Sequence, residues 1–155
     1  MGPAGAGKST VGRALAAALG CTFLDADDLH SPENIAKIGG GAALTDVERG
    51  PWLDRVRSAI ADATHAGGDT VVACSALRRS YRDRIARGLS GVRWVYLHAS
   101  PALLAERLTH RTGHFAGPAI LSSQLATLES PDDALVIPAD LPVDAAVAMI
   151  RTALQ

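Results

Sequence analysis

Lys8 and Ser9 close a glycine-rich run, Gly2-Pro3-Ala4-Gly5-Ala6-Gly7-Lys8-Ser9-Thr10, with the spacing G-x-x-x-x-G-K-[ST]. A loop of this kind turns backbone N–H groups inward, where they cradle phosphate oxygens. Lys8 adds a compact positive charge for the β- and γ-phosphates, and Ser9 offers a hydroxyl to Mg²⁺. The helix that follows points its positive dipole end at the same anion. Given this chain's own residue frequencies, the pattern would arise by chance in roughly 0.2% of such sequences. Only two of the fifteen basic residues are lysines, Lys8 and Lys37. An arginine-biased chain thus keeps lysine where a guanidinium fork is too broad for a narrow loop. A dinucleotide fingerprint fits less well, because Gly5-x-Gly7 is followed by Thr10 and not by Gly or Ala.

Two further groups have chemistry to offer. Asp25-Ala26-Asp27 follows a short apolar stretch. At the end of a strand, residues i and i+2 can both face a cleft, one toward Mg²⁺ and one toward a substrate hydroxyl. Phosphoryl transfer to an alcohol needs such a carboxylate to orient the hydroxyl or accept its proton. The second group is arginine: Arg49, the run Arg78-Arg79-x-x-Arg82-x-Arg84, and Arg107 with Arg111. Arg84 and Arg87 read as a solvated helix face. Arg107 and Arg111 lie at i and i+4, on one side of a helix that enters a polar, glycine-containing segment. That placement suits a lid that brings guanidinium charge onto a transferring phosphate and excludes water. An anionic substrate also needs an arginine at its carboxylate end, and Arg49 and Arg82 are the candidates.

Helical and strand patterns alternate around these groups, which predicts an α/β fold with a parallel sheet and a single domain over residues 1–155. Helices are expected over 8–19, 31–38, from Pro51 to before Gly67, over 77–86, 100–110, 121–128 and 143–154. Strands are expected over 22–25, 70–74, 92–97 and 135–137, with a lid at about 111–118. Ligands of such sheets bind at the carboxyl ends of the strands, where the loop, Asp25–Asp28, Cys74-Ser75-Ala76 and His98 fall. A phosphate loop of this type joins a buried strand to a helix, yet Met1 alone stands before Gly2. The expectation is therefore an apolar run of five or six residues upstream of Met1.

The 155 residues suffice for one real core, and a net charge of -1 points away from nucleic acid and membrane surfaces. No run is apolar enough for a membrane span, and no signal peptide is visible. Cys21 and Cys74 sit in apolar contexts and read as small buried hydrophobes in a reducing compartment.

Longer blocks carry a resemblance: Phe23-Leu24-Asp25-Ala26-Asp27-x-Leu29-His30, Asn34-Ile35-x-Lys37-Ile38, Gly41-x-x-Leu44-x-Asp46 and Arg49-x-Pro51-Trp52-Leu53. Downstream come Cys74-Ser75-Ala76-Leu77-Arg78-Arg79-x-Tyr81-Arg82-Asp83, Arg107-Leu108-x-x-Arg111-x-Gly113-His114-Phe115 and Ser123-Gln124-x-x-x-Leu128-Glu129-x-Pro131. In these the chain resembles the gluconokinases of the shikimate-kinase-like branch of P-loop kinases. The resemblance implies a nucleoside-kinase-like three-layer sandwich and transfer of the ATP γ-phosphate to the 6-hydroxyl of D-gluconate. By position, Gly2, Ala4, Gly5, Ala6, Gly7, Lys8, Ser9 and Thr10 would hold ATP, with Arg107 on the adenine or a phosphate. Ser9 and Asp25 would serve Mg²⁺. Lys8, Asp27 and Arg111 would be catalytic, and Asp27, His30, Arg49, Arg82 and His114 would meet the sugar acid. The family implies a cytoplasmic homodimer in gluconate utilisation. Ala116-Gly117-Pro118-Ala119 is smaller and less polar than the family pattern. Shikimate and adenylyl-sulfate kinases are rival readings, although Cys74-Ser75-Ala76 replaces the glycine triplet of shikimate kinases. A non-catalytic nucleotide-binding protein is the rival from another class.

Overall fold

Alanine and leucine at helical spacing after Gly7 form α1, Lys8–Leu19, and Gly20 ends it in the left-handed conformation with its N–H on the Ala16 and Ala17 carbonyls. The computed structural model describes residues 1–65, 67–110 and 118–155. After α1 come β1 (Thr22–Asp25), a 3₁₀ turn (Ala26–Leu29), α2 (Pro32–Gly39), α3 (Asp46–His65) and β2 (Thr70–Ala73). The chain continues through α4 (Arg79–Ala86), β3 (Val95–His98), α5 (Pro101–Thr109), α6 (Pro118–Thr127), β4 (Leu135–Pro138) and α7 (Val143–Leu154).

Both strand pairs are parallel, as the alternating pattern requires. β1 pairs with β2 from Thr22 opposite Thr70 to Asp25 opposite Ala73. β3 pairs with β4 from Val95 opposite Leu135 to His98 opposite Pro138. Met1 and Gly2 run between the two pairs. Met1 donates its amino group to the Val95 carbonyl and accepts from the Leu97 N–H, the parallel pattern around Tyr96, while Gly2 N–H donates to the Ser75 carbonyl at 3.2 Å.

Alternation along the strands builds two cores on opposite faces. Val71, Val95, Leu97, Leu135 and Ile137 join Leu15, Leu104, Leu108 and Ile150 from α1, α5 and α7. Val72 and Tyr96, on the other face, join Trp52, Leu53 and Val56 of α3 and Tyr81 and Ile85 of α4. The result is three layers, helices over both faces of the strands. Cys74 belongs to the second core, and burial pushes its thiol up to about 11. That is a packing cysteine and not a reactive one. Cys21 is half-buried and also free.

Three boundaries depart from expectation by three residues or more: β3 begins at Val95 rather than 92, α6 at Pro118 rather than 121, and the third helix departs furthest. The third helix begins at Asp46 and runs through Pro51, rather than opening at it. Thr45 and Glu48 explain this as a capping box. The Glu48 N–H donates to Thr45 Oγ1 at 3.3 Å, and Glu48 Oε2 accepts from the Thr45 N–H at 2.7 Å. Glu48 also holds Lys37 Nζ at 2.7 Å, tying α2 to α3. Its carboxyl is drawn down to about 2, first by Lys37 and then by the Thr45 amide and hydroxyl. The early start matters because it places Arg49 on the helix, one turn beyond the cap. Thr45→Ala is expected to cost about 1 kcal/mol in chemical denaturation, with Thr45→Ser close to the parent, as a helix cap behaves; equal loss in both variants would mean that the cap is not what starts α3.

Candidate active site

All four strands end at one edge, and the groups expected to do chemistry gather there. The glycine-rich loop wraps this edge. Gly5 takes a φ of +84°, and a Cβ there would sit 3.0 Å from the Leu104 carbonyl oxygen, so the position demands glycine on both counts. Lys8 Nζ donates to the Pro3 carbonyl at 3.0 Å. Ser9 Oγ donates to Asp25 Oδ2 at 2.6 Å, and Asp25 Oδ1 accepts from the Asp27 N–H at 3.2 Å, capping the 3₁₀ turn. One carboxylate thus links the helix after the loop to the turn that carries Asp27.

A cavity of about 350 Å³ opens over this edge. Residues 4–11 of the loop and helix α1 form its floor, and Arg107, Ala139, Leu141 and Val143 close one end. Asp27, His30, Arg49, Ser75 and Leu77 stand at the other, with Ile38 and Leu44. Ile120, Ser123, Gln124 and Thr127 of α6 complete the wall. A polar loop flanked by Arg107 with apolar neighbours on one side and by Asp27, His30 and Arg49 on the other is suited to an elongated ligand with phosphates at its middle.

The charged end is built around Trp52. Its ring is buried, its Nε1–H donates to the Ala26 carbonyl at 2.7 Å, and His30 stacks on it with centroids 4.3 Å apart and planes 12° from parallel. Burial first, then the Arg49 and Arg55 charges, lower the His30 pKa to about 4, so the ring is neutral at physiological pH. Arg49 lies over the Tyr81 ring at 5.2 Å and donates from Nη2 to the Leu44 carbonyl at 3.2 Å. Tyr81 in turn donates its hydroxyl to Asp46, which Arg78 also binds at 2.9 Å. Two buried atoms on this wall have no hydrogen-bond partner: His30 Nδ1 and Arg49 Nε. Buried polar atoms rarely go unpaired, because each costs the loss of its water.

The expected residues divide three ways. The loop residues, Asp25, Asp27, His30, Arg49 and Arg107 come together. Arg107 reaches two backbone carbonyls, Gly5 at 3.4 Å and Ala139 at 2.8 Å, so it braces the loop against the segment after β4. Arg111 and His114, with most of the expected lid, lie outside the described residues. Arg82 is a correction. It does not face the cavity but is 4% exposed, with Nη1 on the carbonyls of Ala76 (3.2 Å), Leu77 (3.4 Å) and Glu129 (3.2 Å). The reason is local. Ala76 turns left-handed at φ +44°, which for alanine is strained, and the turn aims its carbonyl and the next one at a single donor. The sequence reading assigned no role to Gln124, Ser75 or Leu77, although Ser123-Gln124 and Ser75 stood within the resembling blocks.

A Mg²⁺ site is consistent with these donors. Ser9 Oγ and Asp25 Oδ2 are the oxygen pair, and no cluster of three or more His, Cys, Asp or Glu side chains occurs among the described residues. Mg²⁺ is commonly held by one or two protein oxygens, with water and substrate phosphate filling the rest.

A family model described as an AAA domain matches residues 1–131. A gluconokinase of Gluconobacter oxydans is 43% identical over 133 residues, covering 86% of this chain and 75% of its own. Among solved structures, a gluconokinase from Sinorhizobium meliloti superposes with a TM-score of 0.83 at 41% identity, covering 99% of this chain and 92% of that one. A sugar kinase from a Janibacter species superposes with a TM-score of 0.91 at 37% identity, covering 98% and 90%.

Two predictions follow from the charged end and its correction. Between pH 6.5 and about 4 the unfolded chain binds a proton at His30 that the folded chain refuses. Stability therefore falls as pH falls through that window, and His30→Asn is expected to flatten the fall; denaturation midpoints across the window with an unchanged slope would contradict it. Arg82→Met strands buried carbonyls and is expected to cost about 3 kcal/mol of stability. A variant of undiminished stability with a raised KM for an acid substrate would instead restore Arg82 to the substrate.

Proposed function

The chain belongs to the gluconokinase family and carries the AAA domain, and from that premise we propose how its residues divide the work of phosphorylating D-gluconate. It is an ATP-dependent kinase of the P-loop class, and its reaction carries the γ-phosphate of ATP to the 6-hydroxyl of D-gluconate, giving 6-phospho-D-gluconate and ADP. The observation that carries the assignment is the unpartnered pair on the wall, His30 Nδ1 and Arg49 Nε, whose residues line the cavity together with Asp27. A polyhydroxy acid supplies what that pair lacks: a carboxylate for a guanidinium, and hydroxyls for a neutral imidazole.

In this reading residues 5–10 hold the ATP phosphates, whereas Gly2 and Ala4, expected among them, have their N–H groups on Ser75 and Gln124 and shape the loop instead; Arg107, with Leu141 and Val143, borders the nucleoside. Lys8 stabilises charge on the transferring group. Asp27 faces the cavity beside the loop, and it orients the 6-hydroxyl and accepts its proton as the oxygen attacks phosphorus. Arg49 and His30 bind the far end of the acid and so fix which hydroxyl reaches Asp27. Mg²⁺, held by Ser9 and Asp25, would supply neutralising charge to the phosphate oxygens. Arg111 and His114 are assigned to the lid on the resemblance alone. The same resemblance extends the proposal to a cytoplasmic homodimer in gluconate utilisation, without nucleic-acid or membrane partners. Among the described residues no helix is long and apolar enough to cross a membrane.

ADP release is the direct assay, run with D-gluconate, other aldonic acids and shikimate. D-Gluconate alone, or well above the others, is expected to drive turnover, and shikimate none; turnover indifferent to gluconate would defeat the reading. Lys8→Ala is expected to abolish turnover. Asp27→Asn is expected to lower kcat by about 10²-fold or more, the scale of a lost positioned base, and near-normal kcat would remove Asp27 from that role.

A further inference from the structure

The peptide between Pro3 and Ala4 is gripped at both ends. Its carbonyl accepts from Lys8 Nζ at 3.0 Å and from the Ala6 N–H at 3.3 Å. Its N–H donates to Gln124 Oε1 at 2.6 Å, across 120 residues of sequence. Gln124 is on α6, half-buried, and lines the same cavity. One turn before it, Ile120 and Leu121 are buried in the core that also holds Ala4 and Ala6. The helix wall and the loop are thus joined by packing and by one short hydrogen bond.

The geometry matters for Lys8. Proline fixes φ at Pro3, so the remaining freedom of this peptide is rotation of its plane about the Pro3 ψ and Ala4 φ bonds. Such a rotation would swing the Pro3 carbonyl away from the Lys8 ammonium. A grip on the N–H opposes it, because the two ends of one rigid plane cannot turn separately. Ala4 is buried, so its N–H would lose a partner on rotating, which makes the grip more costly to break.

We propose that Gln124 is a positioning residue of the phosphate loop: by holding the Ala4 N–H it fixes the Pro3–Ala4 plane, and through the Pro3 carbonyl it sets where the Lys8 ammonium rests. Gln124 acts on the lysine and not on the sugar acid, so α6 is coupled to the nucleotide end of the cavity. The inference rests on the reading of Lys8 as the residue that meets the ATP phosphates.

The test uses the full chain and two variants. Gln124→Met keeps the length and removes the acceptor; Gln124→Glu keeps an acceptor oxygen at the same reach. In nucleotide-free protein, the Ala4 amide proton is expected to move upfield in Gln124→Met and to stay downfield in Gln124→Glu. By calorimetry, ATP affinity is expected to fall roughly tenfold in Gln124→Met, the factor of one lost hydrogen bond, with KM for gluconate within about twofold. An Ala4 amide that does not move in Gln124→Met overturns the proposal, as does a moved amide with unchanged ATP affinity. Equal weakening toward ATP and gluconate also overturns it, since that marks general damage to the wall. The amide and calorimetric readings need no acceptor substrate, so a failure of the gluconate assignment remains distinguishable from a failure of this one.

Discussion

Backbone amides that are to bind phosphate cannot be spent on the loop's own secondary structure, so a phosphate loop must be held by everything else it has. This chain meets that constraint group by group. The Gly2 N–H is taken by Ser75, the Ala4 N–H by Gln124, and the Pro3 carbonyl by Lys8. The Gly5 carbonyl is taken by Arg107, and the Ser9 hydroxyl by Asp25. The partners come from the segment after β2, from α6, from α1, from α5 and from the end of β1. The rest of the fold can be understood as the frame that brings these five places to one edge. Parallel strands do so because all of them finish at the same end, and alternation along them supplies two buried faces for helices to cover.

The other end of the cavity is organised differently. There the frame is aromatic and cationic: Trp52 anchored on the Ala26 carbonyl, His30 stacked on Trp52, and Arg49 over Tyr81. Rings fix position by area and guanidinium by fork geometry, so little backbone is needed. The neutral state of His30 follows from burial beside two arginines. A neutral ring can both donate and accept toward a hydroxyl, whereas a cation could only donate. In the proposed reading the charge needed for a carboxylate is left to Arg49, so that recognition of acid and of hydroxyl would be split between two side chains.

Helix α3 links the two schemes. Its capping box at Thr45 and Glu48 starts the helix early enough to carry Arg49, and three residues later the same helix carries Trp52. A substrate wall that depends on helix phase is sensitive to where the helix begins. A T-x-x-E signal was present in the sequence at Thr45-Asp46-Val47-Glu48 and outweighs the preference of proline for a first turn, although Pro51, lacking an N–H, cannot make the helical bond to the Val47 carbonyl.

Sequence alone determined the class of fold and the nature of one end of the site. The loop pattern, the alternation of helix and strand periodicity, and Asp25-x-Asp27 after a strand are local features, and local features survive into the folded chain because they depend on spacing along it. The arginines could not be sorted in that way. Arg49 and Arg82 were alike as candidates for the acid and Arg107 was read toward the nucleotide, yet one lines the cavity, one is buried against three carbonyls, and one braces the loop. Gln124 carried no local signal of its grip on Ala4. Where a long side chain ends is set by which backbone groups are left without partners nearby. In Arg82 the deciding group is a strained turn at Ala76, and in Gln124 it is an amide 120 residues away. Such groups become neighbours only when the tertiary structure closes around them.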